Sequence, residues 1–243
     1  MDKPLDFLPI EKPQYADLVK PPLNTLIVFL TEWIPTQPYP MRLKDAQTRC
    51  FTVANEAAAE LQGCPLKAYI GLTIEDLAQP HAFNTSAIET HRQYDAQVCQ
   101  ERCNMSFQQV WLNAQGLIRV ETVYKTPIFM TDQPVVALLE SSHDRTLSEG
   151  LEPLFSHYEQ AYPIRQAIQY FLTHICLKQV FHKLPTRREL LTLLSLGQSS
   201  AARHAAVHLK ISERTVEEYK ARLNCKLKGI NLHELLVKLR AFR

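Results

Sequence analysis

The side chains best suited to chemistry in this chain of 243 residues are cations gathered toward its C-terminal end. Residues 184–243 hold 12 Lys and Arg against 5 Asp and Glu, a net charge of +7, whereas residues 1–183 have a net charge of −5. Because the whole chain carries only +2, the separation of charge is more informative than the total. A basic segment behind an acidic one indicates two domains, the second of which binds a polyanion.

Short helical patterns position these cations. Ser212 suits an N-cap, since its hydroxyl can accept a free backbone N–H of the first helical turn. After it, apolar residues recur at helical spacing and predict a helix over residues 213–227. Only Lys210 and Ile211 separate Ser212 from another short helix, over residues 199–209. Two short helices joined by a turn predict a helix-turn-helix, whose second helix fits the major groove of DNA.

Two further helices complete this segment. Thr186 and Glu189 have the spacing of a capping box at the start of a leucine-rich helix, and Gly197 is expected to end that helix. Asn231 suits the cap of a last helix over residues 232–239. The segment is therefore predicted to be an all-α domain of four helices.

This domain resembles the LuxR-type (GerE-like) helix-turn-helix over residues 184–240. The matching strings are Leu184-Pro185-Thr186-x-Arg188-Glu189, Leu209-x-Ile211-Ser212-x-x-Thr215-Val216-Glu217, and Lys226-Leu227 followed by Glu234-Leu235. The resemblance implies binding to double-stranded DNA as a homodimer on two half-sites. It puts Glu217, Glu218 and Ala221 at the positions that face the bases, where the family often has a basic residue.

We predict DNA contacts of two kinds. Phosphates would be bound by backbone N–H groups at Ser212, by Thr215 unless it serves only as a cap, and by the surrounding cations, which are Arg188, Lys210, Arg214, Lys220, Arg222, Lys226 and Lys228. In the major groove, Glu217 or Glu218 could accept from cytosine N4, and the methyl group of Ala221 could meet a thymine methyl. Alternatively, both glutamates are solvated helix charges, one of them paired with Arg214 or Arg222. Val216 is expected in the core.

The first 183 residues have a different pattern. A poorly ordered lead-in is expected up to residue 22, followed by a short amphipathic helix over residues 23–33. Two strands are expected first, at residues 41–43 and 49–53. A helix at 56–61, short helices within 65–77 and a longer helix at 86–101 follow, and three more strands are expected at 106–112, 117–129 and 135–141. This order predicts an α+β domain with one antiparallel sheet and short helices.

The same segment resembles the PAS domain. The resemblance rests on the order of the elements and on several strings, which include residues 49–55, Gly63, Ile70-Gly71-Leu72-Thr73, Val110-Trp111-Leu112, Lys125-Thr126-Pro127-Ile128 and Asp144-Arg145-Thr146. It implies a sensor domain with a pocket between sheet and helices for a small-molecule ligand, whose identity is unknown. Phe51, Phe107, Trp111 and Tyr124 could line that pocket or belong to an ordinary core.

No cofactor is predicted. A flavin-photocycle domain of this type needs a reactive cysteine in a string that none of the six cysteines has. A haem domain needs a ligand on the long helix, where His91 lies, but a lone helical histidine is expected at the surface or hydrogen-bonded. The cysteines include no C-x-x-C pair, and no metal site is predicted.

The expected organisation is a lead-in and helix at residues 1–40, a PAS-like sensor domain at 41–146, a helical linker at 147–183 and the LuxR-type DNA-binding domain at 184–243. An apolar stripe along the linker could pack on its own domain, form a dimer seam, or do both. No export signal precedes these segments, and the apolar run at residues 23–34 is too short to span a bilayer, so a cytoplasmic protein without membrane contact is expected.

These patterns predict a bacterial transcriptional regulator that binds a specific DNA sequence and whose PAS-like domain senses a signal or mediates dimerisation. The alternative is a regulator that acts through protein–protein contacts, with weak or no DNA binding. The acidic reading positions favour that alternative, and the net charge of +7 opposes it. An enzyme is not expected, since the sequence has no glycine-rich phosphate loop, nucleophile elbow or metal constellation.

Overall fold

The computed structural model describes residues 22–241, apart from residues 79, 131 and 200. The lead-in expected before residue 22 therefore falls outside the described residues. Helix α1 spans Leu23–Trp33 as predicted, and a 3₁₀ turn at Ile34–Thr36 follows it. Leu30 and Ile34 are buried in one cluster with Met41 and Leu43, so α1 packs on the face of the sheet that these residues share.

The N-terminal half is built on an antiparallel sheet of five strands in the described part of the chain. These are β1 (Met41–Asp45), β2 (Phe51–Ala54), β3 (Met105–Leu112), β4 (Ile118–Ile128) and β5 (Ala137–Asp144), in the spatial order β2-β1-β5-β4-β3. The predicted α+β class with one antiparallel sheet is confirmed. Strand β5 ends three residues later than predicted, because it pairs with β4 as far as Asp144, opposite Glu121.

Three helices connect β2 to β3: α2 (Glu56–Gln62), α3 (Ile74–Leu77) and α4 (Asn84–Glu101). Asn55 caps α2, since its side chain accepts from Ala58 N. Gly63 ends α2 with a φ of 76°, and a Cβ there would lie 2.9 Å from Asn113 Nδ2, so only glycine fits without a shift. Helix α4 packs on β3 and β4 and closes the inner face of the sheet.

Among the described residues, six α-helices follow the sheet. The first two, α5 (Leu151–Ala161) and α6 (Ile164–His174), lie within residues 147–183, the segment predicted to be a helical linker. The C-terminal four are α7 (Arg187–Gln198), α8 (Ala202–Leu209), α9 (Glu213–Asn224) and α10 (Leu232–Arg240). The capping box expected at Thr186 and Glu189 is formed. Asn231 caps α10 as expected, and the structure adds a capping box between Asn231 and Glu234.

One hydrophobic core joins the sheet to the C-terminal helices. Ile118 of β4, Phe155 of α5, Phe171 of α6 and Leu193 of α7 all belong to a single cluster of buried side chains. The apolar stripe of the linker therefore packs within the chain, and a dimer seam along the same helices stays a prediction. This packing sets the position of the C-terminal helices relative to the sheet.

The predicted boundaries of α7, α8 and α9 are wrong. Gly197 does not end α7, which continues to Gln198. Gly197 faces Leu239 of α10, and a Cβ at Gly197 would lie 3.4 Å from Leu239 Cβ. Helix α8 begins at Ala202 and not at residue 199. Helix α9 ends at Asn224 and not at residue 227, because Leu227 leaves the helix to form an isolated β-bridge with Phe181.

Candidate functional site

The turn between α8 and α9 determines where α9 begins. Lys210 has a left-handed φ of 54°, and Ile211 N donates to Ala206 O at 3.0 Å, so the chain reverses sharply after α8. Ser212 then caps α9, because its Oγ accepts from Thr215 N at 3.1 Å. Val216 is buried as predicted, and this orients the opposite face of α9 outward. The two helices have the arrangement of a helix-turn-helix.

The outward face of α9 carries charges that pair with one another. Arg214 Nε lies 3.4 Å from Glu218 Oε1, and Lys220 Nζ lies 2.9 Å from Glu217 Oε1. The pairing of a glutamate with Arg214, which the sequence left as an alternative, is therefore present. Exposed ion pairs of this kind contribute little to stability, so either can open when a phosphate or a base competes for one of its members.

Most of the residues predicted to contact DNA lie at the surface. Thr215, whose Oγ1 lies 2.8 Å from Ser212 Oγ, and Lys220 are half-buried. The exposed residues of the set are Arg188, Lys210, Ser212, Arg214, Glu217, Glu218, Ala221, Arg222 and Lys228. The fold brings Arg188 of α7 and Lys210 to one groove, which Tyr219 of α9 also lines. Cations from separate parts of the sequence thus meet beside α9.

Lys226 is placed differently from the other predicted contacts. Its side chain is only 14% exposed, and Nζ lies 2.5 Å from Glu189 Oε2, itself 4% exposed. Burial raises the pKa of Glu189, but the hydrogen bonds from Lys226 and Thr186 outweigh burial and hold it below its usual value. Lys226 is therefore held by a carboxylate inside the domain, and the prediction that it binds a phosphate does not fit this geometry.

A cluster of charged side chains fills the space between the sheet and α4. Arg42 and Lys44 come from β1, Lys125 from β4, Glu140 from β5 and Asp95 from α4, and all five are buried. Arg42 Nε donates to Glu140 Oε2 at 2.8 Å. Lys44 Nζ lies 2.9 Å from Asp95 Oδ2 and 2.9 Å from Glu140 Oε1. Lys125 Nζ donates to Glu140 Oε1 at 2.8 Å and also to Asp95.

The cations keep the carboxylate of Glu140 ionised despite burial. Burial raises the pKa of Glu140, but the charges of Lys125, Lys44 and Arg42 outweigh it and hold that pKa well below its usual range. Tyr69 Oη accepts from Arg42 at 3.0 Å, and burial raises the pKa of Tyr69 to about 12. This cluster was not predicted from the sequence. Its only signal was the spacing of Arg42 and Lys44, which puts both cations on one face of a strand.

His91 of α4 was expected either at the surface or hydrogen-bonded. It is buried, so the prediction of a surface position is wrong. His91 is 1% exposed, its Nδ1 lies 3.2 Å from Lys125 Nζ, and its Nε2 has no hydrogen-bond partner among the described residues. Burial, and next the charge of Lys125, lower the pKa of His91 well below its usual value, so the ring is neutral.

The four aromatic residues considered for a pocket divide between the two faces of the sheet. Phe51, Phe107 and Trp111 are buried, and Trp111 Nε1 donates to Glu121 Oε1 at 2.7 Å. Tyr124 is 44% exposed and pairs with Ser141 on the face opposite Lys125, so the prediction that it could line the interior is wrong. Within residues 22–241, apart from the three omitted positions, no group of His, Cys, Asp and Glu is arranged to hold a metal ion.

One family model matches part of the chain. Residues 37–150 match the model of the PAS fold. A phage VqmA in complex with DPO is 24% identical, with 90% of this chain and 88% of that chain covered and a TM-score of 0.43. The Vibrio cholerae VqmA complex with ligand and DNA is 22% identical, with the same coverage and a TM-score of 0.43.

A third solved structure is the PAS domain, in complex with ethanol, of a LuxR-family transcriptional regulator from Burkholderia thailandensis. It is 17% identical, with 46% of this chain and 92% of that chain covered and a TM-score of 0.38. No curated protein sequence matches significantly. In the described part of the chain, no helix has both the length and the apolar character needed to cross a membrane.

Proposed function

We propose, on the premise that residues 37–150 belong to the PAS fold family, that this chain is a sequence-specific DNA-binding transcriptional regulator. In this proposal the PAS domain senses a signal, and the four C-terminal helices bind double-stranded DNA. The observation that carries it is the geometry of α9, a capped helix whose buried face holds it to the domain and whose charged face is open to a partner.

Electrostatics support this proposal. Arg188, Lys210, Arg222 and Lys228 are exposed around α9 and form no ion pair within the described residues, so they can neutralise phosphates without breaking an ion pair. Arg214 and Lys220 must first leave Glu218 and Glu217. Phosphate contacts made by the first group would provide affinity that does not depend on sequence. The bases would be contacted from Glu217, Glu218 and Ala221.

The regulator is proposed to act as a cytoplasmic homodimer. A single helix-turn-helix module buries a modest area on DNA, and two copies on half-sites raise both affinity and specificity. The linker helices pack inside the chain, but Ile164 at the start of α6 is 44% exposed and leaves room for a contact with a second copy.

A second candidate is a regulator that acts through protein contacts and binds DNA weakly. The ion pairs of Glu217 and Glu218 favour it, because they engage two of the cations that would otherwise meet phosphates. Each cation that no longer neutralises a phosphate weakens DNA binding and lowers the salt dependence of the affinity.

The experiment that separates the two candidates is a pull-down of fragmented genomic DNA with the full-length protein. Enrichment of a palindrome is expected for the first candidate. Affinity for that site is then measured by fluorescence anisotropy across a salt series for the wild type and Arg188→Ala. Lys238→Ala on α10 is the control, because Lys238 is equally exposed but lies outside the groove.

Arg188→Ala should weaken binding to every sequence and reduce the slope of log affinity against log salt by about 1, whereas Lys238→Ala should change neither. Absence of any enriched sequence, together with equal affinity of the two variants for DNA, would support the protein-contact candidate.

A further inference from the structure

An open groove lies between the start of α6 and the segment that leads into α7. Its volume is about 620 Å³, which is within the range of sites that bind ligands in proteins. Part of its lining is apolar: Ile164 and Ile168 come from α6, and Leu184 and Pro185 come from the connecting segment. Ile168 is buried, but Ile164, one helical turn earlier on the same face, is 44% exposed. The groove therefore presents apolar surface to a partner.

The remainder of the lining is polar and carries positive charge. Besides Thr186 it consists of Arg165, His182, Lys183 and Arg187, and no Asp or Glu among the described residues lines the groove. Arg165 and Lys183 are exposed and form no ion pair in the described part of the chain. The first turn of α6 adds to this charge, because its N-cap, Pro163, makes no side-chain cap and the positive end of the helix dipole is left there. The groove therefore favours carboxylates.

The boundary of this groove with the DNA-binding surface is neutral. Arg187 lines both this groove and the one beside α9. Its guanidinium is engaged by Glu159 of α5, with Nη2 donating to Oε2 at 2.9 Å. A phosphate backbone that continued from α9 into this groove would meet an ion pair there in place of a free cation, and its phosphates offer no apolar surface to Ile164. Charge and apolar surface together fit a protein segment better than DNA.

A second copy of the chain also fits the groove poorly. In a symmetric dimer the same surface of each copy meets at the two-fold axis. A contact made by the groove itself would therefore place Arg165 and Lys183 near the same cations of the other copy. Like charges that face each other across an interface are unfavourable, so the occupant should have a different sequence.

We propose that this groove binds an acidic amphipathic helix of a partner protein. Apolar side chains of that helix would pack on Ile164 and Leu184, and its carboxylates would pair with Arg165 and Lys183. Helices that bind in grooves use apolar anchors at i and i+3 or i+4, with polar residues beside them. This partner is additional to the DNA of the proposed function, and its binding does not require DNA.

The two parts of the groove should contribute differently to binding. Apolar contact removes area from water and provides most of the affinity. The ion pairs remain at the rim, where each contributes little, but they select an acidic partner and speed its association. Loss of Ile164 should therefore weaken binding more than loss of one cation, and only the loss of a cation should change the salt dependence.

The test uses the full-length protein and a fluorescein-labelled synthetic peptide about four helical turns long, in which pairs of glutamates alternate with pairs of leucines. One control peptide has serine in place of every leucine, and another has lysine in place of every glutamate. Fluorescence anisotropy measures the affinities. We expect the acidic leucine peptide to bind and both controls to bind at least about tenfold more weakly, because each lacks one of the two features that the groove recognises.

Two variants of the groove have matched controls. Ile164→Ser should weaken peptide binding about tenfold, whereas Val237→Ser, at a residue of α10 that is 52% exposed and lies outside the groove, should not. Lys183→Glu should weaken it about fivefold and reduce its salt dependence. Lys178→Glu, which reverses an exposed charge outside the groove, should change neither quantity.

Three results would overturn the proposal. The first is no binding of the acidic peptide, or equal binding to Ile164→Ser and Val237→Ser. The second is a greater loss of affinity for duplex DNA in Lys183→Glu than in Lys178→Glu, which would assign the groove to the DNA-binding surface. The third is a shift from dimer to monomer in Ile164→Ser, measured by sedimentation, which would assign it to a second copy.

DNA binding by the wild type is measured on the same samples. Binding of DNA without binding of the peptide overturns this inference alone. Binding of the peptide without binding of DNA overturns the proposed DNA-binding function and leaves the groove as a site for an acidic helix.

Discussion

Lys226 Nζ lies 2.5 Å from Glu189 Oε2, and this bond ties the segment after α9 to the first turn of α7. The same carboxylate oxygen accepts from Thr186 N at 2.6 Å, so Glu189 caps its own helix and holds Lys226 at once. The residue that looked like a phosphate contact is therefore part of what orients α9. Its role is structural.

Lys226→Met should lower the free energy of unfolding by about 2 kcal/mol, because it leaves a buried carboxylate without its cation. The folded variant should bind DNA within about twofold of the wild type, which is a small change on the scale of one phosphate contact. Urea unfolding and anisotropy measure the two quantities. Lys228→Met is the control, since Lys228 is exposed; it should keep its stability and weaken DNA binding. If the two variants show the same stability and the same affinity for DNA, Lys226 does not have the structural role given to it here.

Glu217→Ala should change the base preference at one position of the binding site by about tenfold. The reason is that Glu217 lies at the exposed face of α9, and its removal also frees Lys220 to reach a phosphate. Selection from randomised DNA measures the preference. Glu213→Ala, at the exposed first turn of the same helix, should leave it unchanged. An unaltered preference in Glu217→Ala would mean that this glutamate is only a solvated helix charge.

Glu140→Gln should lower the free energy of unfolding by about 3–5 kcal/mol, because Arg42, Lys44 and Lys125 would lose the carboxylate that compensates their buried charges. Chemical denaturation measures the loss, and Glu60→Gln, an exposed glutamate of α2, is the control. A loss below about 1 kcal/mol would show that the three cations do not depend on Glu140.

His174 should make the protein less stable in mild acid. Burial, and next the charge of Arg119, lower the pKa of His174 to about 4, and its Nδ1 lies 2.7 Å from Tyr158 Oη. The unfolded chain, with a histidine pKa of about 6.5, binds this proton first as pH falls. The stability that the neutral ring provides is therefore present above pH 6.5 and is lost between about pH 6.5 and 4.

Between these two pH values His174 changes the free energy of unfolding by at most about 1.4 kcal/mol per pH unit. Urea unfolding at pH 7 and pH 5 should show a smaller acid loss in His174→Gln than in the wild type. His182→Gln, at an exposed histidine, should behave like the wild type. If the wild type and both variants lose the same free energy of unfolding between pH 7 and pH 5, His174 is not the cause of the acid loss.

Much of the fold could be predicted because its signals are local. Asn55, Thr186, Ser212 and Asn231 cap helices within three residues of themselves, so the starts of four helices were predictable from short strings. Helix ends were harder, since Leu227 leaves α9 for a partner in another segment, Phe181. The exposed part of the candidate DNA interface was predictable for the same reason as the caps, because it lies along one helix and its turn.

The sequence by itself determined the order of elements, the helix caps and the concentration of positive charge around α9, because periodicity, capping and composition act over a few residues. Only the tertiary structure decided which charges are buried. Arg42 meets Glu140 across 98 residues, Lys226 meets Glu189 across 37, and His91 turns into the interior with Gln109. Such contacts depend on which faces of distant elements pack together, and local sequence patterns do not predict that packing.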